Sequence, residues 1–219
     1  MKRTCSNICR VALYTSICAI MCLLAAYAQG VSPADNLDAQ VNTFLNQAQN
    51  TWRDMNVPEA DGQAMYDIIV KNGYTRAVEV GTSTGHSTIW LAWAMSKTGG
   101  KVITIELDEG RYKQAVANFK KAGVSEYIDA RLANAHELVP QLKGTFDFAF
   151  LDADKDWYVN YAKALVPKMK QGGCITGHNI SGRRRGWIKD FLDYMENHEE
   201  LETSILRVSR SGLSVSYKK

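Results

Sequence analysis

Residues 77–97 read AVEVGTSTGHSTIWLAWAMSK, and this stretch decides the fold class. Residues 77–80 have the apolar, β-branched character of a short buried strand. After a glycine-rich turn, residues 87–97 are apolar nearly all round, which is typical of a helix buried between two layers. A strand that passes through such a turn into a buried helix predicts an α/β fold.

Strands and helices alternate outward from this unit. The further predicted strands are 101–106, 127–132, 146–152 and 174–177. The further predicted helices are 38–53, 58–70, 109–122, 135–142, one from Trp157 to a stop at Gly172-Gly173, and 186–197. Residues 202–208 and 213–217, split by Ser211-Gly212, predict a terminal hairpin. The repeated units predict a mostly parallel sheet with helices on both faces, whose ligands bind beyond the carboxyl ends of the strands.

The N-terminal residues have the composition of an export signal. Lys2, Arg3 and Arg10 form a basic start, and residues 11–28 carry no charge. They end in Ala26-Tyr27-Ala28, the small-x-small pattern that signal peptidase cleaves. We therefore expect residues 1–28 to be a signal peptide and the protein to be periplasmic or secreted. The alternative is an uncleaved membrane anchor at residues 11–28.

The remaining chain predicts one domain without net charge. The 219 residues have a formal charge of +3, and without residues 1–28 Lys+Arg falls from 26 to 23 against 23 Asp+Glu. This neutrality argues against a nucleic-acid binder that works by counterion release. Cys174 is the one cysteine beyond residue 28, which excludes a disulfide-stapled fold. We assign residues 29–57 to a linker and an N-terminal helix, and residues 58–219 to the functional domain.

The first polar motif is the turn that begins at Gly81 and ends at Gly85. Its glycines allow a ligand to approach the backbone, and the helix after them begins with free N–H groups. The G-x-x-x-G spacing differs from the G-x-G-x-x-G of dinucleotide sites. Glu79, ahead of the turn, suits a cationic group such as the α-amino group of S-adenosylmethionine. The alternative is a tight turn that binds nothing.

Two more acidic motifs follow predicted strands. Glu106 lies 25 residues after Gly81 and can accept both hydroxyls of a ribose, which fits S-adenosylmethionine and NAD equally. Residues 150–158, FLDADKDWY, place three carboxylates and Lys155 at a strand end. Such a group could hold a divalent cation with Lys155 as an acid–base group, or it could be a salt-bridged loop.

Together with residues 172–179, GGCITGHN, these motifs resemble the cation-dependent small-molecule O-methyltransferases, which include the caffeoyl-CoA and catechol enzymes. The likeness runs from Asp61 to the C-terminus. It implies a Rossmann-like class I methyltransferase fold, with a seven-stranded, mostly parallel sheet and a C-terminal antiparallel hairpin. It also implies S-adenosylmethionine as the methyl donor and a small hydroxylated acceptor, phenolic or catechol-like.

The resemblance also assigns roles to residues of this chain. Asp152 would be a metal ligand, and Lys155 matches the lysine that takes the proton of the acceptor hydroxyl. The residues that would hold S-adenosylmethionine, from its methionine end to its adenine, are Glu79, Gly81, Thr82, Ser83, Ser87, Glu106 and Ala135.

The sequence departs from the family at the predicted metal site. An Asp-Asn pair completes that site in the family, whereas this chain has His178-Asn179. Asp152, His178 and Asn179 would then be the ligands of Mg²⁺, Mn²⁺ or Ca²⁺, but hard cations prefer carboxylate oxygen to imidazole, which puts a metal requirement in doubt. One hypothesis makes His178 the general base, oriented by Asp152 or Asp154. The other makes it a weak metal ligand, a support for one, or a structural residue.

Other functions remain open from the sequence. An exported protein that binds S-adenosylmethionine or a nucleoside without catalysis is the main alternative. The glycine spacing disfavours an NAD-linked oxidoreductase, and the neutral charge disfavours a nucleic-acid methyltransferase. Arg183-Arg184-Arg185 predicts either a contact to an anionic acceptor or a solvated basic turn. The sequence names neither the acceptor nor the oligomeric state, and a homodimer stays open.

Overall fold

The computed structural model describes residues 33–49, 51, 52 and 54–219. The contacts of the chain divide it into two units, with the boundary between residues 40 and 41. Helix α1 (Pro33–Ala48) begins in the first unit and ends in the second, about five residues ahead of the predicted helix 38–53 at each end. The predicted signal or anchor lies outside the described residues. Among the residues that are described, no helix combines the length and apolarity needed to cross a membrane.

Strands and helices alternate through the second unit, as predicted. The strands are β1 (Arg76–Val80), β2 (Lys101–Glu106), β3 (Ile128–Leu132), β4 (Phe146–Leu151), β5 (Met169–His178), β6 (Leu201–Leu206) and β7 (Leu213–Lys218). The helices after α1 are α2 (Glu59–Asn72), α3 (His86–Thr98), α4 (Glu109–Ala122), α5 (Ala135–Gln141), α6 (Tyr158–Leu165) and α7 (Trp187–Asn197).

All seven strands form one sheet in the order β3-β2-β1-β4-β5-β7-β6. Strands β1 to β5 pair in parallel, and β7 lies antiparallel between β5 and β6. The predicted mostly parallel sheet with a terminal antiparallel hairpin is confirmed. Strand β1 pairs with both β2 and β4, so the chain order changes direction there. In open α/β sheets this switch point is where a crevice opens beyond the strand ends.

Helices cover both faces of the sheet. Val78 and Val80 of β1 belong to a buried apolar cluster with Tyr158 of α6 and Phe191 of α7. The residue between them, Glu79, faces the other way and accepts hydrogen bonds from the first turn of α3. All six residues of β4 are buried. Burying a large apolar side chain contributes about 1.5–3 kcal/mol, so the three phenylalanines of β4 are a large part of the core energy.

The boundary between α6 and β5 differs from the prediction. Residues 157–169 were expected to be one helix ending at Gly172-Gly173, but α6 ends at Leu165 and Met169 already begins β5. Pro167 forms a short 3₁₀ turn after α6, because proline lacks the N–H that would continue an α-helix. The glycines lie inside β5, where the register to β4 shifts. The apolar spacing of residues 165–169 suits either element, so the pattern alone did not separate them.

The turn between β1 and α3 requires glycine at its end. Gly85 has φ +95°, a value that residues with a side chain rarely adopt. A Cβ atom there would lie 2.4 Å from Phe119 Cε1 and 3.3 Å from Ala115 Cβ, both on α4. The absence of a side chain therefore lets α4 pack against the start of α3.

Replacing Gly85 by alanine tests this packing. We expect Gly85→Ala to lower the free energy of unfolding by about 3 kcal/mol, because the backbone strain adds to the clash with Phe119. The control is Gly73→Ala, at φ +65° with no atom within 4 Å of the added Cβ, which should cost about 1 kcal/mol through backbone strain alone. Urea denaturation measures both, and equal losses would contradict the packing argument.

Candidate active site

A cavity of about 510 Å³ opens beyond the carboxyl ends of β1, β2, β4 and β5. It is continuous from Glu106, the last residue of β2, to His178 and Asn179 at the end of β5. Its lining residues are Met55, Asn56, Pro58, Gly81, Thr82, Ser83, His86, Ser87, Glu106, Arg111, Asp152, Ala153, Asp154, Lys155, His178, Asn179 and Ser211. The structure thus brings most of the predicted site residues together around one space.

Glu79 lies behind the cavity wall rather than on it. Its side chain is fully buried, and its carboxylate accepts hydrogen bonds from Ser87 Oγ at 2.5 Å, Thr104 Oγ1 at 2.6 Å and the Thr88 hydroxyl. Burial raises the pKa of Glu79 to about 7, although the hydroxyl donors oppose the shift. The structure therefore places Glu79 outside the cavity lining, in contact with the lining residue Ser87, and the role predicted for Glu79 in ligand binding stays a prediction.

Glu106 and Ser83 form the end of the cavity nearest β2. Glu106 Oε2 accepts from the Ser83 backbone N–H at 2.7 Å, and Oε1 accepts from the backbone N–H groups of Leu107 and Asp108. Three of the roughly four acceptor positions of the carboxylate are occupied, so Oε2 can still accept from a ribose hydroxyl. The Ser83 hydroxyl is buried without a hydrogen-bond partner among the described residues. A buried hydroxyl without a partner, beside Glu106 and in a turn with two glycines, fits a polar ligand such as S-adenosylmethionine.

Strained backbone is concentrated on the cavity wall. Three non-glycine residues of the described chain have positive φ, namely Ser83 (+48°), Asp154 (+46°) and Asn179 (+61°). All three line the cavity, each in a turn after a different strand. Such conformations cost about 1–3 kcal/mol each and occur where function holds them in place.

Lys155 projects into the opposite end of the cavity. Its Nζ donates to Asp152 Oδ1 at 2.5 Å and to Tyr158 Oη at 2.7 Å. The Tyr158 hydroxyl in turn donates to the Leu151 carbonyl at 2.7 Å. Burial raises the pKa of Tyr158 well above its usual value, so it stays a neutral hydroxyl. Two fixed partners therefore hold the Lys155 ammonium at the cavity wall.

His178 lies between two carboxylates. Its Nε2 is 2.9 Å from Asp61 Oδ2, and its Nδ1 is 3.2 Å from Asp152 Oδ2. The His178 and Asp61 side chains are 4% and 0% exposed, so solvent hardly screens this contact. Burial lowers the pKa of His178, but the hydrogen bonds and charges of Asp152 and Asp61 outweigh burial and raise it above its usual value.

This arrangement argues against His178 as the general base. A base needs a nitrogen lone pair that faces the acceptor, whereas both nitrogens of His178 face carboxylates of the chain itself. Asp154, the second residue expected to orient His178, instead contacts His136 Nε2 at 2.5 Å. Of the two predicted orienting residues, only Asp152 contacts His178.

The predicted metal ligands do not fit a hard divalent cation. Asp152 uses one oxygen for Lys155 and the other for His178, and both imidazole nitrogens are engaged. Mg²⁺ and Ca²⁺ require several free oxygen ligands. Among residues 33–49, 51, 52 and 54–219, no group of three or more His, Cys, Asp and Glu side chains is arranged to hold a metal ion. Asn179 lines the cavity beside His178.

Ala135 and Arg184 also lie away from the cavity lining. Ala135 begins α5 and packs against the apolar core cluster. Arg184 forms ion pairs with Asp193 and Glu196 of α7, which fits the alternative of a solvated basic turn better than a contact to an acceptor.

Sequence analysis missed a second group of cavity residues. Met55 and Asn56 lie in the segment that was assigned to the linker and N-terminal helix, Pro58 at the start of a predicted helix, and Ser211 in the hairpin turn. Asp61 also had no predicted role. A signal was present, because Asp61, Met65 and Ile69 recur at helical spacing on the buried face of α2. A carboxylate on an apolar helix face requires a buried partner, which here is His178.

The comparison with known sequences identifies the family. A family model described as O-methyltransferase matches residues 36–199. The chain belongs to this O-methyltransferase family. Relatives include caffeoyl-CoA O-methyltransferase 1 of Eucalyptus globulus, 33% identical over 60% of this chain and 55% of that protein. Caffeoyl-CoA O-methyltransferase 1 of Arabidopsis thaliana is 34% identical over 60% of this chain and 53% of that protein. The chain thus spans about half the length of the curated relatives it matches.

Solved structures of O-methyltransferases share the fold. The enzyme from Bacillus cereus, crystallised with SAH, superimposes with a TM-score of 0.72 at 22% identity over 83% of this chain and 91% of that one. The O-methyltransferase TomG from Streptomyces achromogenes, crystallised with SAM, has a TM-score of 0.70 at 18% identity over 82% of this chain and 89% of that one. The predicted Rossmann-like class I methyltransferase fold is confirmed.

The buried Glu79 carboxylate predicts a pH-dependent stability. Because the folded pKa of about 7 lies above the usual 4.5, the stability that protonation of Glu79 contributes is complete below pH 4.5 and is lost as the pH rises towards 7. Glu79→Gln, which stays neutral, should therefore gain stability relative to the native protein across this range, by on the order of 3 kcal/mol, and then level off.

Thermal unfolding of the ligand-free protein between pH 4 and 8 measures this difference. Glu202→Gln, an exposed glutamate on β6, checks that the gain is not a general effect of removing an acidic side chain. A constant difference between Glu79→Gln and the native protein across the range would contradict the account.

Proposed function

We propose that the protein transfers a methyl group from S-adenosylmethionine to a hydroxyl of a small phenolic acceptor. The observation that carries the proposal is the single cavity, which joins Glu106 and Ser83 at one end to Lys155 at the other. Family membership supports the reaction type, and relatives named caffeoyl-CoA O-methyltransferases support a phenolic acceptor.

The cavity provides separate places for the donor and the acceptor. Ser83, Ser87 and the glycine turn after β1 are placed to bind the amino-acid end of the donor, and Glu106 to bind its ribose. Methyl transfer from a sulfonium is an in-line displacement, in which the acceptor oxygen forms a bond to the methyl carbon as the carbon–sulfur bond breaks. Holding both reactants in one narrow cavity supplies the alignment that this reaction needs.

The acceptor hydroxyl must also lose its proton. A phenol with a pKa near ~10 is about 0.1% ionised at pH 7, which adds about 4 kcal/mol to the barrier. Lys155 is the group best placed to meet this need, since its Nζ lies on the cavity wall and is held by Asp152 and Tyr158. In its free amine form Nζ takes the hydroxyl proton, and the ammonium formed by that transfer stabilises the phenolate left behind.

We also propose that the domain acts after export. The basic start, the uncharged residues 11–28 and the Ala26-Tyr27-Ala28 sequence support cleavage after Ala28. Intact mass of the protein purified from its native host separates a cleaved signal from a retained anchor. Light scattering on the same sample tests the homodimer that the sequence left open.

Calorimetry followed by a methyl-transfer assay tests the function. We expect S-adenosylmethionine and its demethylated product to bind, and catechol or a simple phenol to be methylated. Binding without turnover across a panel of hydroxylated acceptors would favour the non-catalytic alternative. Binding of NAD in place of S-adenosylmethionine would favour the oxidoreductase and refute the proposal.

Removing the Lys155 amine separates catalysis from cofactor binding. Lys155→Met should lower kcat by roughly 10²–10⁴-fold, because the acceptor loses the group that handles its proton. The affinity for S-adenosylmethionine should stay close to native. Lys163→Met, an exposed lysine on α6, is the matched control and should keep full activity. A Lys155→Met variant with native kcat would exclude this role.

A further inference from the structure

The His178 side chain occupies the centre of a closed set of contacts at the acceptor end of the cavity. Asp61 reaches it from the first turn of α2, and Asp152 from the end of β4. The three elements are far apart in sequence, and each contributes one buried or nearly buried side chain. Such an arrangement is built by the fold as a whole rather than by a flexible surface loop.

Three of the four oxygens of the two carboxylates contact groups of the chain itself. Asp152 Oδ1 accepts from Lys155 Nζ at 2.5 Å, and Asp61 Oδ2 accepts from Ser209 Oγ at 2.7 Å as well as contacting His178. Asp61 Oδ1 is buried without a hydrogen-bond partner among the described residues. The imidazole of His178 and the Lys155 side chain, which face these carboxylates, therefore both belong to the chain itself.

We propose that this chain binds no divalent cation at this site, and that the imidazole of His178 with the ammonium of Lys155 takes its place. The inference rests on the proposed methyl transfer, and it concerns whether a cation or side chains of the protein assist that reaction. The imidazole fills the gap between Asp61 and Asp152, and the Lys155 ammonium provides the positive charge on the cavity wall. His178 is then a positioning residue, because it holds Asp152, which in turn holds Lys155.

His178 is then the group that keeps a divalent cation out of this site. In His178→Asp, the new carboxylate would stand beside Asp61 and Asp152, and three carboxylates with the Asn179 amide nearby are the ligands that Mn²⁺ and Mg²⁺ prefer. A single substitution should therefore create a cation site where the native chain has none. The same exchange at His198, a half-buried histidine at the end of α7 and outside the cavity, is the matched control.

The experiment titrates Mn²⁺ into chelator-treated protein and follows free Mn²⁺ by electron paramagnetic resonance. We expect the native protein and His198→Asp to show no specific site, and His178→Asp to bind Mn²⁺ at least roughly tenfold more tightly than either. Mg²⁺ should raise the unfolding temperature of His178→Asp alone. Native turnover should be unchanged in EDTA.

Each contrary result would overturn the proposal. One is a native protein that binds Mn²⁺ stoichiometrically, or that loses turnover in EDTA and recovers it with Mg²⁺. The other is a folded His178→Asp protein, verified by its S-adenosylmethionine affinity, that binds Mn²⁺ no better than His198→Asp. If His178→Asp does not fold, the Mn²⁺ titration of the native protein still tests the proposal. Failure of every sample to bind S-adenosylmethionine would refute the proposed function instead, since the Mn²⁺ titration does not depend on it.

Discussion

The buried carboxylate of Glu79 is the interaction on which the geometry of the site depends. It draws Ser87 and Thr88 from the start of α3 and Thr104 from β2 onto one point. The turn between β1 and α3 is thereby fixed at both ends, and the cavity wall is shaped before any ligand binds. An unpartnered buried carboxylate is costly, so the three hydroxyls both satisfy it and make the fold locally rigid.

A second buried carboxylate, Asp61, fixes the acceptor end of the cavity, as Glu79 fixes the donor end. Through His178 it connects α2 to the ends of β4 and β5. The strained residues Ser83 and Asn179 follow β1 and β5, the strands that carry Glu79 and His178. The site is therefore preorganised by buried polar contacts, and the turns that line it are held in conformations that they would not adopt alone.

The sheet, and the residues that line the cavity beyond β1 and β2, could be predicted from the sequence because both follow from local patterns. A few consecutive residues are enough to recognise the glycine turn, Glu106 at the end of a strand, and the apolar run of β4. The predicted start of β5 was wrong, because apolar residues such as Val166 and Met169 suit a helix and a strand equally. The pairing of His178 with Asp61 was also out of reach, because it joins residues 117 positions apart. Contacts of that kind depend on tertiary packing, which no local pattern encodes.

A crystal structure of the protein with S-adenosylhomocysteine tests the central claim most directly. The account predicts that the ribose lies against Glu106, that the amino-acid end lies at Ser83 and Ser87, and that the sulfur faces Lys155. It also predicts that His178 stays between the two carboxylates. A cavity that remains vacant in crystals soaked at saturating ligand, or a nucleoside bound elsewhere on the surface, would contradict the account.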